Sequence, residues 1–287
     1  MSGNLLDLSG KIDIFMVELF ETISNVAVSI NVPFFVVGAT ARDMILTHGY
    51  DIQTIRATND IDFGVQVSDW DQYRKLTEGL ISTGKFKPTR EAQRLLYEEI
   101  LRIDVIPFGI ISQPGNILSW PPDHEIKMST LGFQESYNNS ITVRIRAKPI
   151  LDIQFASLAG LALMKIISWS DRYPERDRDA KDLALLMRTY LDAGNVEHLD
   201  NEEADLVEKE DFDYVRASAR LLGRDIAVIL QPETAETVLE ILIRETGEKD
   251  RYRLVEDMMD RSAVLDDNFD ENLQLLEELR SGILERL

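Results

Sequence analysis

Two aspartates separated by one residue form the part of the sequence best suited to catalysis. Asp60 and Asp62 alternate with Ile61 and Phe63, and such apolar residues favour a β-strand, on which side chains two apart share one face. Two adjacent carboxylates repel each other unless a cation lies between them, and a hard divalent cation with oxygen ligands fills that role. The pair therefore indicates a metal site, with an ordinary strand-edge role as the structural alternative.

A third carboxylate, Asp104, lies inside the apolar stretch 101–106. An ionised group is costly in such a strand unless it has a partner. If this strand pairs beside the strand that carries Asp60 and Asp62, the three carboxylates converge and can hold two Mg²⁺ ions around a triphosphate. The alternative is that Asp104 ends its strand or forms an ion pair with Arg102 or Arg146.

Upstream of these aspartates, residues 38–43 read Gly-Ala-Thr-Ala-Arg-Asp and connect a short apolar strand to a helix. Gly38 allows the backbone to approach a ligand closely, and free N–H groups at a helix start attract phosphate oxygens. Arg42 can reach the same phosphates, or it can fix Asp43 and the aspartate strand by ion pairing.

The combination of residues 38–43, Asp60, Asp62 and Asp104 resembles the polymerase-β-type nucleotidyltransferase superfamily. The Gly-x-x-x-Arg-Asp segment is similar to that of the CCA-adding tRNA nucleotidyltransferases. The closer resemblance is to AbiEii-type nucleotidyltransferases, the toxins of type IV toxin–antitoxin systems. The superfamily has Gly-Ser where this chain has Gly38 and Ala39, and Thr40 is the residue that could supply the missing hydroxyl.

A second block, from residue 163 to residue 183, supports the AbiEii resemblance. AbiEii-like proteins have a lysine on one helix and an Arg-Asp-x-x-Asp segment at the start of the next, which correspond here to Lys165 and to residues 178–182. The resemblance implies that Lys165 contacts nucleotide phosphate and that Asp182 supports the nucleotide site. The structural alternatives are a surface lysine whose stem covers a buried helix and a helix-surface aspartate near Lys181.

The resemblance implies a Mg²⁺-dependent enzyme, with Mn²⁺ as an alternative ion, that transfers a nucleoside monophosphate from a nucleoside triphosphate to an acceptor hydroxyl. Asp60, Asp62 and Asp104 would be the catalytic metal ligands, and Gly38, Ala39, Thr40, Arg42, Lys165 and Asp182 would bind the nucleotide. The implied acceptor is tRNA or another RNA, and the implied protein partner is an antitoxin. Two other functions stay open: a catalytically inactive nucleotide-binding or protein-interaction module, and a nucleotidyltransferase that modifies small molecules.

Composition narrows the class of protein. The chain has 287 residues, 44% of them hydrophobic, a net charge of −20 and no cysteine, so disulfides, thiolate nucleophiles and cysteine-bound metals are excluded. The three histidines, His48, His124 and His198, are far apart and show no ligand spacing. We expect a cytoplasmic protein without a membrane segment, because no apolar run approaches the length that spans a bilayer.

The acidity is unevenly distributed. Residues 1–150 carry 14 basic and 18 acidic side chains, and residues 151–287 carry 17 and 33, which gives net charges of −4 and −16. Such a negative C-terminal half repels phosphate backbones. A nucleic acid should therefore approach the N-terminal half, whose candidate basic residues are Lys85, Lys87, Arg90, Arg94, Arg144, Arg146 and Lys148.

The elements that must position these residues indicate an α+β protein. Apolar spacing predicts a helix over 9–30, strands at 34–37 and 61–67, and a helix capped by Asp69; two antiparallel strands, 93–97 and 100–107, should follow, with a turn at Glu98 and Glu99. Residues 1–150 thus form a catalytic domain with a small mixed or antiparallel sheet flanked by helices. Residues 151–287 form a helical domain that completes the nucleotide cleft, with an acidic linker or mobile loop at 195–213.

Overall fold

The computed structural model describes residues 5–54, 60–112, 114–122, 124–208, 211–248, 251–259 and 269–287. The chain divides into two compact units, Met1–Ser157 and Leu158–Leu287. The first contains all the described strands, and the second is helical. The α+β fold class is therefore confirmed. No helix in the described part of the chain is both long and apolar enough to cross a membrane.

An eight-stranded mixed sheet organises the first unit. The described strands of this unit also include a separate hairpin, formed by β7 and β8. In chain order the strands are β1 (Leu5–Asp7), β2 (Phe34–Val37), β3 (Asp60–Gln66), β4 (Phe86–Pro88), β5 (Arg94–Tyr97), β6 (Leu101–Phe108), β7 (Ile117–Ser119), β8 (Lys127–Ser129), β9 (Ile141–Arg146) and β10 (Leu151–Phe155). The order across the large sheet is β1-β9-β10-β2-β3-β6-β5-β4. The central strands β3 and β6 run parallel, whereas β2 and β3 are antiparallel.

Four helices belong to the first unit: α1 (Ile14–Ser29), α2 (Gly38–Asp43), α3 (Trp70–Ser82) and α4 (Phe133–Asn138). Aspartates start two of them, since Asp13 accepts from the amide of Met16 at 3.0 Å and Asp69 accepts from that of Gln72 at 2.8 Å. After α2 the chain continues as a wider helical turn over Met44–Gly49.

Aromatic side chains cover the two faces of the sheet. Phe20 of α1 contacts Phe63 on one face. On the other face Phe35 and Phe108 contact Phe133 of α4. Because side chains alternate along a strand, Asp60 and Asp62 belong to the face opposite Phe63, which is the face that α4 covers further along.

Seven helices make up the described part of the second unit: α5 (Leu158–Arg172), α6 (Arg178–Thr189), α7 (Val196–Glu202), α8 (Tyr214–Ile229), α9 (Pro232–Ile243), α10 (Arg253–Met258) and α11 (Phe269–Arg286). Shorter helical turns occupy Leu191–Asn195, Ala204–Leu206 and Arg244–Glu248. Helices α8 and α11 pack closely along their lengths.

The acidic stretch 195–213 differs from the linker or mobile loop expected from its charges. It contains α7 and the turn Ala204–Leu206, while residues 209 and 210 lie outside the described residues. Leu199 and Leu206 are each 2% exposed and anchor the stretch in the core. Glu203 is buried against Arg224 and Arg286, so cations of the same unit neutralise part of the acidity that suggested a solvated loop.

Candidate active site

The pairing of β3 with β6 brings the three predicted carboxylates to one face of the sheet. Asp62 lies directly opposite Asp104, and Asp60 lies opposite Arg102. Residues directly opposite each other on paired strands project to the same side. Asp60 and Asp62 are partly exposed, and Asp104 is 9% exposed. The parallel strands β3 and β6 therefore carry the three carboxylates on one face of the sheet.

Gly38 lies directly against this group. Val37, the last residue of β2, is the register partner of Asp62, and Gly38 follows with a φ of +69°. A Cβ at this position would overlap Oδ2 of Asp62. Only glycine allows both the left-handed backbone and this close approach of the carboxylate.

Helix α2 is tied to the start of β3 by Thr40. The Thr40 hydroxyl donates to the backbone oxygen of Asp60 at 2.9 Å, and Thr40 is 5% exposed and Ala39 7%. The hydroxyl therefore fixes the aspartate strand. Contacts of Ala39 and Thr40 with nucleotide phosphate stay predictions.

Arg42 is buried and paired with its neighbour. It is 2% exposed, and its Nε and Nη2 donate to Oδ1 of Asp43 at 2.7 and 2.5 Å. Of the two roles that the sequence leaves open, the ion pair is therefore the one seen in this structure. A direct contact between Arg42 and phosphate stays a prediction.

Asp104 is held by an arginine that the sequence interpretation did not connect with it. Arg94 on β5 lies opposite Asp104, and its Nε and Nη2 donate to Oδ1 and Oδ2, both at 2.7 Å. These hydrogen bonds raise the pKa of Arg94, so the guanidinium stays charged. Pairing of Asp104 with Arg146 was a wrong alternative, because Arg146 binds Glu21 at 2.5 Å.

The sequence feature that could have identified Arg94 is the length of the loop between β5 and β6. A two-residue turn at Glu98 and Glu99 would place Arg94 opposite Ile103. The observed turn also includes Ile100, so Tyr97 pairs with Leu101 and the arginine moves opposite Asp104. One additional loop residue thus decides which side chain meets the third carboxylate.

The donor set suits a hard divalent cation, since three carboxylates supply only oxygen ligands. Within the described ranges, however, no group of three or more histidine, aspartate or glutamate side chains is arranged to hold a metal ion. In this state Arg94 engages both oxygens of Asp104. The carboxylates are therefore chemically suited to a divalent ion, but the partner of Asp104 in this structure is Arg94.

The second unit contains a buried charge cluster around Lys165. Its ammonium lies 2.7 Å from Oδ1 of Asp179 and 2.6 Å from Oδ2 of Asp182. Arg176 also binds Asp179, which accepts from the Ser168 hydroxyl at 3.1 Å. Burial raises the pKa of Asp179, but the two cations outweigh it and hold this pKa below its ordinary value.

Asp179 is a central member of this cluster that sequence reasoning missed. It belongs to the Arg-Asp-x-x-Asp segment, and it is 0% exposed. Its position three residues before Asp182 places both carboxylates on one side of α6, which is the signal that could have identified it. The nucleotide-binding roles of Lys165 and Asp182 stay predictions.

Most of the candidate RNA-binding cations in the first unit have acidic partners. The pairs are Arg94–Asp104, Arg144–Asp152, Arg146–Glu21, Lys85–Glu18 and Lys87–Glu99. Arg90 and Lys148 are exposed and form no ion pair with any other described residue. The basic surface available to a nucleic acid is therefore smaller than the composition suggests.

Three solved structures illustrate what this chain resembles at low sequence identity. An antigenic nucleotidyltransferase-like protein from Paracoccidioides brasiliensis is 14% identical, with a TM-score of 0.41 over 67% of this chain and 90% of that one. ANT(2")-Ia in complex with adenylyl-2"-tobramycin is 17% identical, with a TM-score of 0.38 over 64% and 94%. A CCA-adding enzyme in its apo form I is 15% identical, with a TM-score of 0.34 over 94% and 69%.

Among curated proteins, no sequence is significantly similar to this chain. The family profile described as "Nucleotidyl transferase AbiEii toxin, Type IV TA system" matches residues 25–274. This range contains the glycine segment, the three carboxylates and the lysine cluster. Because the match covers most of the chain, the protein belongs to the AbiEii family and is a nucleotidyltransferase.

Proposed function

We propose that the protein transfers a nucleoside monophosphate from a nucleoside triphosphate to an acceptor hydroxyl in a reaction that depends on Mg²⁺. The observation that supports this most strongly is the register of β3 and β6, which aligns Asp62 with Asp104 and keeps Asp60 on the same face. Nothing in an ordinary strand pair requires three carboxylates to be adjacent, and their repulsion is costly without a cation.

Asp60 and Asp62 are the proposed ligands shared by two Mg²⁺ ions, with Mn²⁺ as a substitute, and Asp104 is the proposed third ligand and general base. Bound there, the ions would lower the pKa of the attacking hydroxyl and neutralise the leaving pyrophosphate. The task of Asp104 as a base is to accept the proton of the acceptor hydroxyl.

The backbone of Gly38 and its neighbours Ala39 and Thr40 is the proposed contact for the triphosphate. It is supported by the position of the Gly38 backbone directly against the Asp62 carboxylate, because a phosphate held by this backbone would also lie next to a proposed metal ligand. Arg42 would stabilise this segment through Asp43. Lys165 and Asp182 are proposed to bind the nucleotide as well, on the strength of the family's sequence pattern.

The proposed acceptor is RNA, with tRNA as the first candidate, and the proposed biological role is that of a toxin controlled by an antitoxin protein in the cytoplasm. Family membership supports this role. The acceptor would approach the N-terminal half, because its net charge is −4 whereas that of the C-terminal half is −16.

The direct test incubates the purified protein with Mg²⁺, each labelled nucleoside triphosphate and total cellular RNA. Label on one class of RNA supports the proposal, and label on a small molecule supports the alternative of a small-molecule nucleotidyltransferase. No transfer with any of the four nucleotides, in Mg²⁺ or in Mn²⁺, would contradict it.

The variant Asp62→Asn tests the site itself. It keeps the shape of the side chain and removes its charge, so we expect transfer to fall at least about 100-fold, since even groups that merely support a metal ligand are worth about 10–100-fold. Asp152→Asn, which changes an aspartate on the same sheet outside the site, should keep its activity. Circular dichroism would show that both variants fold.

A further inference from the structure

The contact between Arg94 and Asp104 occupies the third carboxylate with a protein cation. Both carboxylate oxygens accept from the same guanidinium at 2.7 Å, which is the paired geometry that gives arginine–carboxylate contacts their strength. The two side chains are 23% and 12% exposed, so solvent screens the pair only in part.

The surroundings of Arg94 are acidic. Glu91 approaches it at 4.0 Å, and the negative charge of Asp60 also raises the pKa of Arg94. Asp62 lies next to Asp104 in the sheet register. Arg94 is therefore a cation that offsets part of the repulsion among these carboxylates when no metal ion is bound.

We propose that Arg94 is a positioning residue that competes with a divalent cation for Asp104. Without the ion it orients and neutralises Asp104, and an ion can use the same oxygens only when the guanidinium withdraws. Glu91, 52% exposed, provides an acceptor for the displaced guanidinium. This inference rests on the proposed function, because it assumes that the carboxylate group binds divalent ions.

The consequence is that the two ions bind with unequal affinity. Asp60 and Asp62 can bind one ion without displacing Arg94, whereas an ion that uses Asp104 must break two charged hydrogen bonds. Arg94 thereby makes the complete metal site depend on the divalent ion concentration or on the additional negative charge of a bound triphosphate.

The test is a titration of the full-length protein with Mn²⁺, followed by the electron paramagnetic resonance signal of the free ion. We expect two classes of site in the wild type. Arg94→Gln should tighten the weaker class about tenfold, because two hydrogen bonds to a charged group no longer oppose binding. Adding Asp104→Asn to this variant should abolish the increase in Mn²⁺ affinity.

The chain offers a matched control in Arg144→Gln. Arg144 binds both oxygens of Asp152 across another antiparallel strand pair, at 2.9 and 3.0 Å, and its loss should leave Mn²⁺ binding unchanged. Arg94→Lys keeps the positive charge but cannot donate two parallel hydrogen bonds, so the Mn²⁺ affinity of this variant should lie between those of the wild type and Arg94→Gln. If Arg94→Gln does not fold, the comparison of Arg94→Lys with the wild type decides the question.

Unchanged or weaker Mn²⁺ binding in both Arg94 variants would overturn the competition. Failure of the proposed function gives a different result, in which the wild type and Asp62→Asn bind Mn²⁺ alike. The Mg²⁺ dependence of transfer supplies a second readout: Arg94→Gln should lower the half-saturating Mg²⁺ concentration, whereas a merely structural role would lower the rate at every concentration.

Discussion

Among single residues, Gly38 has the least freedom of substitution in the site. Its backbone is left-handed, and any Cβ would overlap the carboxylate of Asp62. The residue thus sets how closely the backbone and a proposed metal ligand approach each other. Because Gly38 determines both the local backbone conformation and the position of the Asp62 carboxylate, its substitution should lower stability and activity together.

We predict that Gly38→Ala lowers the free energy of unfolding by about 3 kcal/mol and abolishes transfer, because a left-handed alanine alone costs about 1–2 kcal/mol and the overlap adds to it. Gly84→Ala is the control, since Gly84 has a φ of +77° with nothing within 4 Å of the added Cβ. Urea denaturation measures both. Equal losses of stability in Gly38→Ala and Gly84→Ala would contradict a specific contact with Asp62.

Some features of the candidate site could be predicted from the sequence, and others could not. The spacing of Asp60 and Asp62 predicted their common face, because strand periodicity fixes the orientation of side chains. Asp104 was expected to join them only if its strand paired beside theirs, and β3 and β6 do pair. The partner of Asp104 depends instead on hairpin register, which the additional loop residue Ile100 shifts by one position. Burial of Lys165 between two aspartates depends on packing between helices, which no local pattern encodes.

At the scale of elements, helices α8 and α11 owe their close crossing to two glycines. A Cβ on Gly223 would collide with the backbone oxygen of Leu279, and one on Gly282 with that of Arg220. Backbone atoms cannot move aside as a flexible side chain can. Two helices can approach this closely only where both surfaces lack side chains.

We expect Gly223→Ala to destabilise the protein by about 1–3 kcal/mol, the usual cost of overpacking. Gly79→Ala is the matched control, because its Cβ would meet only a methyl group of Val26 and alanine favours the helix by about 1 kcal/mol. Thermal unfolding should show a lower midpoint for the first variant alone. A similar midpoint for both would argue against backbone contact as the cause.

The same helix pair contains a pH-sensitive contact. A hydrogen bond from Arg220, the largest effect, and another from Arg224 together outweigh burial and lower the pKa of Glu285 from 4.5 to about 2. A depressed pKa stabilises the folded state above pH 4.5, and this contribution is lost as the pH falls from 4.5 towards 2.

We therefore predict that Glu285→Gln is less stable than the wild type at pH 7 and that the difference shrinks between pH 4.5 and about 2. Chemical denaturation at a series of pH values measures it. A difference that stays constant over this range would show that the contact does not depend on the charge of Glu285.

For the whole molecule, net charge limits how RNA can be recognised. The chain carries a charge of −20, and most basic candidates of the first unit are engaged by acidic partners. General attraction to phosphate is therefore weak. The proposed RNA acceptor would have to be selected by its shape or by contacts at the site rather than by a basic surface.

We predict that unstructured RNA of arbitrary sequence binds with a dissociation constant above about 100 µM at physiological salt, the weak end of nonspecific binding. Fluorescence anisotropy over a range of salt concentrations measures it. Binding tighter than about 1 µM with a steep salt dependence would reveal a basic surface that the ion pairs conceal.

Fold class and helical content could be predicted from the sequence because apolar spacing records which side of an element is buried. Strands 34–37 and 61–67 and the Asp69 cap correspond closely to β2, β3 and the start of α3. The helix α7 could not be recognised, because its acidic surface suggested solvent while its stability comes from Leu199 and from distant arginines that bind the following Glu203.

The hairpin of β5 and β6 has a consequence for the order of folding. Arg94 and Asp104 are ten residues apart, so their contact closes a short loop, whereas Asp62 and Asp104 meet only after a much longer one closes. We expect the hairpin to form first and to bring the third carboxylate to β3 already neutralised. Arg94 would then act as an internal counterion during assembly, so that the acidic face can form without a bound cation.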